Sequence, residues 1–407
     1  MPPRVRALAA AQLVNSVGDG VYYVTSTLYF TRVVGLSPTR IGLALTVAWA
    51  VGAVAGVPLG AVADRRGPRG ASVVLAFGTA AAVLSFLVVR SYAAFLIAVV
   101  GYAVAQCGLA AARQALLAGL VEPGERTGAL ARLQSALNAG LALGAGIGGL
   151  ALQHDTATGY LVVLALDGAG FVVCALLLAR LPAIPPTPAR AAKEPRLAVL
   201  RDRPYAVVTL LNAVLLLRMP LLSVALPLWI VTHTAAPGWS VSVLFVLNTL
   251  GVTAFQVRLA RGVDGLTPAV RTVRRSGVVL LASCVVFAAS GTGGLGAWGA
   301  VAVLVAASAL QLVGEMQQSA GSWQLAFSLA PAHQVGQYQG FFGTGVPLAR
   351  TVGPLVLTAL LVAWGVPGWL VLGALFLGAG AAMGPVAHWA DTARGTPTAA
   401  RPAAAAR

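Results

Sequence analysis

The stretch Gly60–Gly70, GAVADRRGPRG, decides how the rest of the chain is read. It gathers Asp64, Arg65, Arg66 and Arg69 in a chain where only 9% of residues are charged. Long apolar runs flank it on both sides. It is therefore a short charged connection between two segments that avoid water, and its arginines hold it on one face of a membrane.

Composition extends that reading to the whole chain. Hydrophobic residues make up 58% of the 407 and the mean hydropathy is +0.85. A soluble globule carries far more charge, so this sequence belongs in a bilayer. The net charge of +16 comes almost wholly from arginine, with Lys193 the single lysine. No basic patch is interleaved with exposed aromatics, which argues against a nucleic-acid partner. Cys107, Cys174 and Cys284 are odd in number and lie inside apolar runs, so they form no disulfide framework. The opening MPPRVR imitates a signal peptide, but the apolar run behind it continues past Asn15 and Asp19 to about Phe30 and reads as a retained first span.

Segments of about 20 residues cross a bilayer. Twelve are expected, at 7–33, 40–62, 71–89, 93–120, 128–152, 158–180, 204–231, 240–261, 275–291, 296–322, 335–363 and 367–389. With both ends in the cytoplasm, that side carries nearly all the arginines, and the opposite side only Arg32, Arg40 and Arg90. The Pro-rich, charged segment Leu181–Pro204 separates six spans from six more. The expected organisation is an N-terminal bundle at 1–181, a cytoplasmic linker at 182–203, a C-terminal bundle at 204–390 and a disordered tail at 391–407. The halves also rhyme. A shift of 200 sets Asp64 on Asp264, and a shift of 205 sets Gly140–Gly149 beside Gly345–Pro354. Weak internal symmetry of this kind marks transporters built from parallel repeats.

At this point the residues resemble a family. A loop G-x-x-x-D-R-x-G-x-R between spans 2 and 3 is the signature of the major facilitator superfamily, and here it is Gly60, Asp64, Arg65, Gly67 and Arg69. The resemblance implies an all-α integral membrane protein, with twelve transmembrane helices in two pseudo-symmetric six-helix bundles. It implies that spans 1, 4, 7 and 10 line a central cavity, and that the Asp64 loop is a latch closing the inner side, with a weaker second latch at Asp264. Drug/proton antiporters of that superfamily carry G-x-x-x-G-P-x-x-G-G in span 5. This chain has Gly140, Gly144, Gly148 and Gly149, with Ala145 in place of the proline. The first three recur every four residues on one helix face, which admits a close backbone neighbour, so helix packing alone and an antiport role both remain open. The antiporter arginine early in span 4 is absent.

Ionisable groups inside apolar runs are functional candidates by default. They are Asp19, Asp167, Glu315, Arg113, Arg218 and Arg350. All but Arg113 fall near mid-depth; Arg113 lies shallower, where it could snorkel or serve an inner gate. In span 1, Gln12, Asn15, Asp19, Tyr22 and Ser26 advance by three or four and form one polar stripe. Span 10 repeats this with Ser308, Gln311, Glu315, Gln318 and Ser322. Span 4 adds Gln106, and span 7 adds Asn212. For Asp167, alone in span 6, interhelical polar glue is the expected role.

The enzyme motifs G-x-S-x-G, H-E-x-x-H and G-x-x-x-x-G-K are absent, and the four histidines are scattered, so neither catalysis, a metal site nor ATP drive is expected. A carboxylate in a cavity of low dielectric can exchange protons near neutral pH, which makes Asp19 and Glu315 candidate coupling sites with the proton gradient in place of a cofactor. The leading expectation is a monomeric, proton-coupled exporter of small organic molecules, drugs or secondary metabolites, in a bacterial cytoplasmic membrane. A proton-linked nutrient importer or facilitator is the second, and a non-transporting receptor the third.

Overall fold

The structure is a computed structural model that describes residues 3–154, 156–186, 197–291 and 293–393. No strand forms among the described residues. Twelve membrane-length helices run back and forth among the described residues. The first six are α1 (Pro3–Leu28), α2 (Pro38–Arg66), α3 (Pro68–Ser85), α4 (Tyr92–Leu120), α5 (Arg126–His154) and α6 (Ala157–Ala179). The second six are α7 (Arg203–His233), α8 (Ser240–Leu259), α9 (Leu266–Ala289), α10 (Ala297–Ser328), α11 (Val335–Leu361) and α12 (Val366–Thr392). An even number of crossings puts both ends on one side, termed here the terminus side.

Ten of these helices are apolar and long enough to cross a membrane. The other two, α1 and α5, are diluted by Gln12, Asn15 and Asp19 in one and by Gln134, Asn138 and the glycines in the other. Those two pack on each other. The backbone of α1 at Leu13, Val17 and Val21 lies against Gly140, Gly144 and Gly148 of α5, and Gly20 returns the contact at Leu141. Outward-turned side chains such as Val54, Val88, Ile97 and Leu355 are about three-quarters exposed in the isolated chain, as a lipid-facing surface requires.

Each half has its own core. In the first, Tyr22, Phe30, Phe86, Phe95 and Tyr102 interlock, with Phe30 and Phe95 centroids 4.4 Å apart. In the second, Trp229, Phe287 and Trp369 stack, Phe287 and Trp369 at 4.7 Å.

The boundaries differ from the expected spans where polar residues enter a helix. α9 begins at Leu266 rather than 275, after Gly265 (φ 78°), so Arg271, Arg274 and Arg275 sit inside it. α10 runs six residues beyond 322. Two spans are broken rather than continuous. In α7 the α-helix stops at Leu215, and 3₁₀ and π turns carry Leu216–Ala225, because Pro220 and Pro227 offer no N–H to the preceding turn. In α11 a turn at Thr344 precedes Pro347 for the same reason. Residues 187–196 of the expected linker and 394–407 of the expected tail lie outside the described residues; α12 itself continues to Thr392.

Candidate functional site

Between the halves lies a cavity of about 420 Å³, within the range that holds a small organic molecule. Its walls come from both bundles. From the first half, α1 contributes Gln12, Asn15 and Asp19, and α4 contributes Gln106 and Arg113. From the second, α7 contributes Asn212 and Arg218, α10 contributes Glu315 and Gln318, and α11 contributes Arg350.

On the first wall, Asp19 is buried and accepts from Asn15 Nδ2 at 2.8 Å, one turn back on the same helix. Tyr102 and Gln106 of α4 each donate to its other oxygen at 3.3 Å, and Gln106 also donates to Tyr102 at 3.1 Å. No arginine pairs directly with this carboxylate among the described residues, though the charges of Arg113 on the same wall and of Arg350 on the opposite one act on it. Arg350 also faces Tyr23.

The second wall is tightly bonded. Arg218 sits in the proline-distorted turn of α7, and its Nη1 meets Glu315 at 2.7 Å. Its Nε and Nη2 donate to Gln318 Oε1 at 2.9 and 2.7 Å, and Nη2 also reaches Ser319 at 3.0 Å. Gln318 passes the network to Asn212 at 2.8 Å and to Ser322 at 2.9 Å. Asn248 of α8 donates to the second Glu315 oxygen at 3.0 Å. Substituting Asn248→Ala is expected to lower stability by about 1 kcal/mol, the scale of polar contacts between membrane helices. Thermal unfolding of the detergent-purified protein checks this, and an unchanged midpoint would remove Asn248 from the network.

Four stripe residues lie off the cavity wall, Tyr22, Ser26, Ser308 and Gln311. Tyr22 does not reach the cavity; it stacks on Phe86 at 5.9 Å and Tyr102 at 5.5 Å inside the first core, and Tyr23 lines the wall instead. Steps of three and four are equivalent on a stripe, so Asp19–Tyr22 and Asp19–Tyr23 fit the sequence equally. Gln311 is buried outside the wall, with Oε1 unpartnered, because the cavity touches only the C-terminal turns of α10, from Glu315 to Ala326. Arg113 faces the cavity rather than snorkelling to a surface, and its Nη1 is buried without a partner. Asn248, Gln256 and Gln339, none of them among the expected site residues, join the site from α8 and α11.

The expected glue of Asp167 is not made. Its carboxyl is fully buried against the backbone of Gly18, and neither oxygen has a hydrogen-bond partner. A carboxyl that makes no hydrogen bond there gains nothing from its charge, so an amide of the same shape should substitute for it. Asp167→Asn is expected to unfold within about 1 kcal/mol of the wild type. A much larger loss of thermal stability would show that the charged form is bonded.

The loop at Gly60–Gly70 joins the halves. Asp64 accepts from Gly336 N at 2.7 Å and Gln337 N at 2.9 Å, both at the N-terminus of α11. It thus caps a helix of the opposite bundle, instead of the following helix or an arginine, and its negative charge meets the positive end of that helix. Gly60 makes the approach possible, since a Cβ there would strike the Gly336 carbonyl; Gly340 likewise lies on Gly56. Gly67 (φ 95°) makes the turn between α2 and α3, while Arg69 donates to Leu181 O at 3.1 Å and Arg65 is exposed. Asp264 occupies the matching place in the repeat, beside Gly124 at the start of α5, but is exposed and forms no such pair of bonds. Thr127–Gln324 at 2.7 Å and Ser135–Thr253 at 3.4 Å add further contacts on the same side. The halves are therefore closed on the terminus side. The glycines Gly140, Gly144 and Gly148 do not reach the cavity; they seat α1, and Gly149 faces away with open space around it.

Among the described residues no cluster of His, Cys, Asp or Glu could hold a metal ion. No curated protein sequence matches the chain. Among solved structures, a bacterial homologue of the iron transporter ferroportin in an outward-facing state aligns with a TM-score of 0.72 at 16% identity, covering 95% of this chain and 99% of that one. The proton:xylose symporter XylE aligns at 0.69 and 14% identity, covering 93% and 94%. The transporter FucP in its outward conformation aligns at 0.68 and 13% identity, covering 96% and 99%. The sequence model of the Major Facilitator Superfamily matches residues 8–354. With two helical bundles around a polar cavity and Asp64 bonded across from one to the other, this chain is a multi-pass membrane transporter that belongs to the major facilitator superfamily.

Proposed function

We propose that the protein exports small organic molecules in exchange for protons. Asp19 is the observation that carries this reading. It is a cavity carboxylate held only by neutral donors, so its charge can come and go without breaking an ion pair. Ionised, it attracts a cationic or hydrogen-bonding substrate; protonated, it releases it. The arginine bias supports cytoplasmic termini in a bacterial inner membrane, which makes the terminus-side closure an outward-facing state in which external protons reach Asp19. The protein works as a monomer, with the two bundles rocking about the cavity.

A second reading concerns substrate charge. Five acidic or basic side chains line the cavity, Asp19 and Glu315 against Arg113, Arg218 and Arg350. Arg113 and Arg350 form no ion pair among the described residues, which favours a substrate that also carries an anionic group.

Inverted vesicles with an imposed pH gradient, acid inside, test both. A panel of cationic, zwitterionic and anionic compounds should show accumulation that a protonophore abolishes. Gradient-driven movement in the opposite direction would establish import, and movement indifferent to the protonophore would remove the proton.

A further inference from the structure

Five arginines converge at the terminus-side ends of α8 and α9: Arg258, Arg261, Arg271, Arg274 and Arg275. All are exposed, and none forms an ion pair among the described residues. The nearest acid along the chain, Asp264, sits beside Gly124 of the other half. Membrane topology accounts for basic residues on this side. It does not account for their grouping around clefts. Arg261, Arg271 and Arg275 line a pocket of about 250 Å³ with Gln317 of α10, whose Oε1 is buried and lacks a donor. Arg271, Arg274 and Arg275 edge an adjoining groove of about 340 Å³, whose floor includes Val270 and Val278.

A second feature meets this one from the membrane side. Between α8 and α10 runs an apolar trough of about 730 Å³, walled by Val243, Val246, Leu250, Phe255 and Leu312. Along α8 the residues Val243, Val246, Leu250, Ala254 and Arg258 follow one face at steps of three and four, so the trough leads to the arginines. At its end the Arg258 guanidinium lies over the Phe255 ring, 6.0 Å from the centroid. A hydrocarbon channel that ends at unpaired guanidiniums at the helix ends has the outline of one phospholipid.

We infer that the corner formed by α8, α9 and α10 binds an anionic phospholipid with a hydroxylated headgroup, its phosphate on Arg261, Arg271 and Arg275 and an acyl chain in the trough. Guanidinium forks match phosphate oxygens in geometry and charge. The unpartnered Gln317 acceptor needs a donor from the ligand, which a headgroup hydroxyl supplies and a choline headgroup does not. The trough requires a tail, and this separates the lipid from free phosphate.

Native mass spectrometry of the full-length protein in detergent, titrated with dioleoylphosphatidylglycerol, dioleoylphosphatidylcholine, dioleoylphosphatidic acid or inorganic phosphate, tests the site. Phosphatidylglycerol should bind and raise the unfolding temperature, whereas phosphatidylcholine and phosphate should do neither. Each juxtamembrane arginine contributes about five-fold to anionic-lipid affinity, so the double substitution Arg271→Gln/Arg275→Gln should weaken phosphatidylglycerol binding about 30-fold. Gln317→Leu should erase the preference for phosphatidylglycerol over phosphatidic acid. Equal binding of phosphatidylcholine, full competition by inorganic phosphate, or undiminished binding in the double variant would overturn the assignment. An unchanged headgroup preference in Gln317→Leu would overturn the hydroxyl contact.

Discussion

Asp64→Asn is expected to leave the protein folded and able to bind substrate while transport falls about ten- to hundred-fold. The carboxylate places one oxygen on each of two backbone N–H groups of the opposite bundle. An amide keeps one acceptor, turns an NH₂ toward the other donor, and removes the charge that faces the helix end. Hydrogen bonds to a charged group are worth about 1.5–3 kcal/mol, and the pair exists only while the halves touch on the terminus side. Its loss therefore shifts the balance between conformers by about one to two powers of ten. Gly60→Val should go further, because the side chain would occupy the space of the Gly336 carbonyl and prevent closure. Cys107 reports on this without an engineered probe: it lines the cavity and is half-buried, whereas Cys174 and Cys284 are buried. Labelling of Cys107 by a membrane-impermeant thiol reagent added from the terminus side should accelerate at least ten-fold in both variants. Unchanged labelling with full transport would reduce the loop to a signal for membrane topology.

The partner of Asp64 also shows where the sequence stops being legible. Its charge at a span edge, its glycines and its arginines are local facts, and they are enough to locate a loop and assign a family. That its carboxylate would find Gly336 and Gln337 is a fact about two helices more than 270 residues apart, and no local pattern encodes it. The same division runs through the cavity. Asp19, Glu315 and Gln318 stand out because an apolar helix with a polar stripe must turn that stripe away from lipid. The choice between Tyr22 and Tyr23 depends on a few tens of degrees of helix rotation, set by the aromatic cluster behind them. Asn248 and Gln339 join the site through the packing of α8 and α11, which no local pattern specifies. The breaks in α7 and α11 were written in Pro220, Pro227 and Pro347, but hydropathy runs smoothly across them and conceals the change in hydrogen bonding. α9 misled in the opposite way, since its first turns are charged and yet helical.

Asp19→Asn is expected to abolish gradient-driven transport while leaving downhill exchange of substrate intact, and Glu315→Gln is expected to do something different. The two acids differ in what surrounds them. Glu315 is in an ion pair at 2.7 Å with an arginine that is itself fully engaged, and it receives a further bond from Asn248. Removing its charge would leave the Arg218 guanidinium, 6% exposed in the cavity wall, without its acidic partner. Asp19 has neutral donors only, and Tyr102 and Gln106 can turn to accept when the acid carries a proton. On the proposed mechanism Asp19 carries the proton, and Glu315 is the counter-charge that keeps Arg218 in the cavity wall. On this account Asp19→Asn mimics the protonated state permanently. Counterflow of labelled substrate should persist within a few-fold of wild type, and accumulation driven by a pH gradient should vanish. Glu315→Gln should instead lower thermal stability and weaken substrate binding, with whatever transport remains still responding to the gradient. The opposite pattern, in which Asp19→Asn still accumulates substrate against a gradient and Glu315→Gln does not, would move the coupling site to the second bundle.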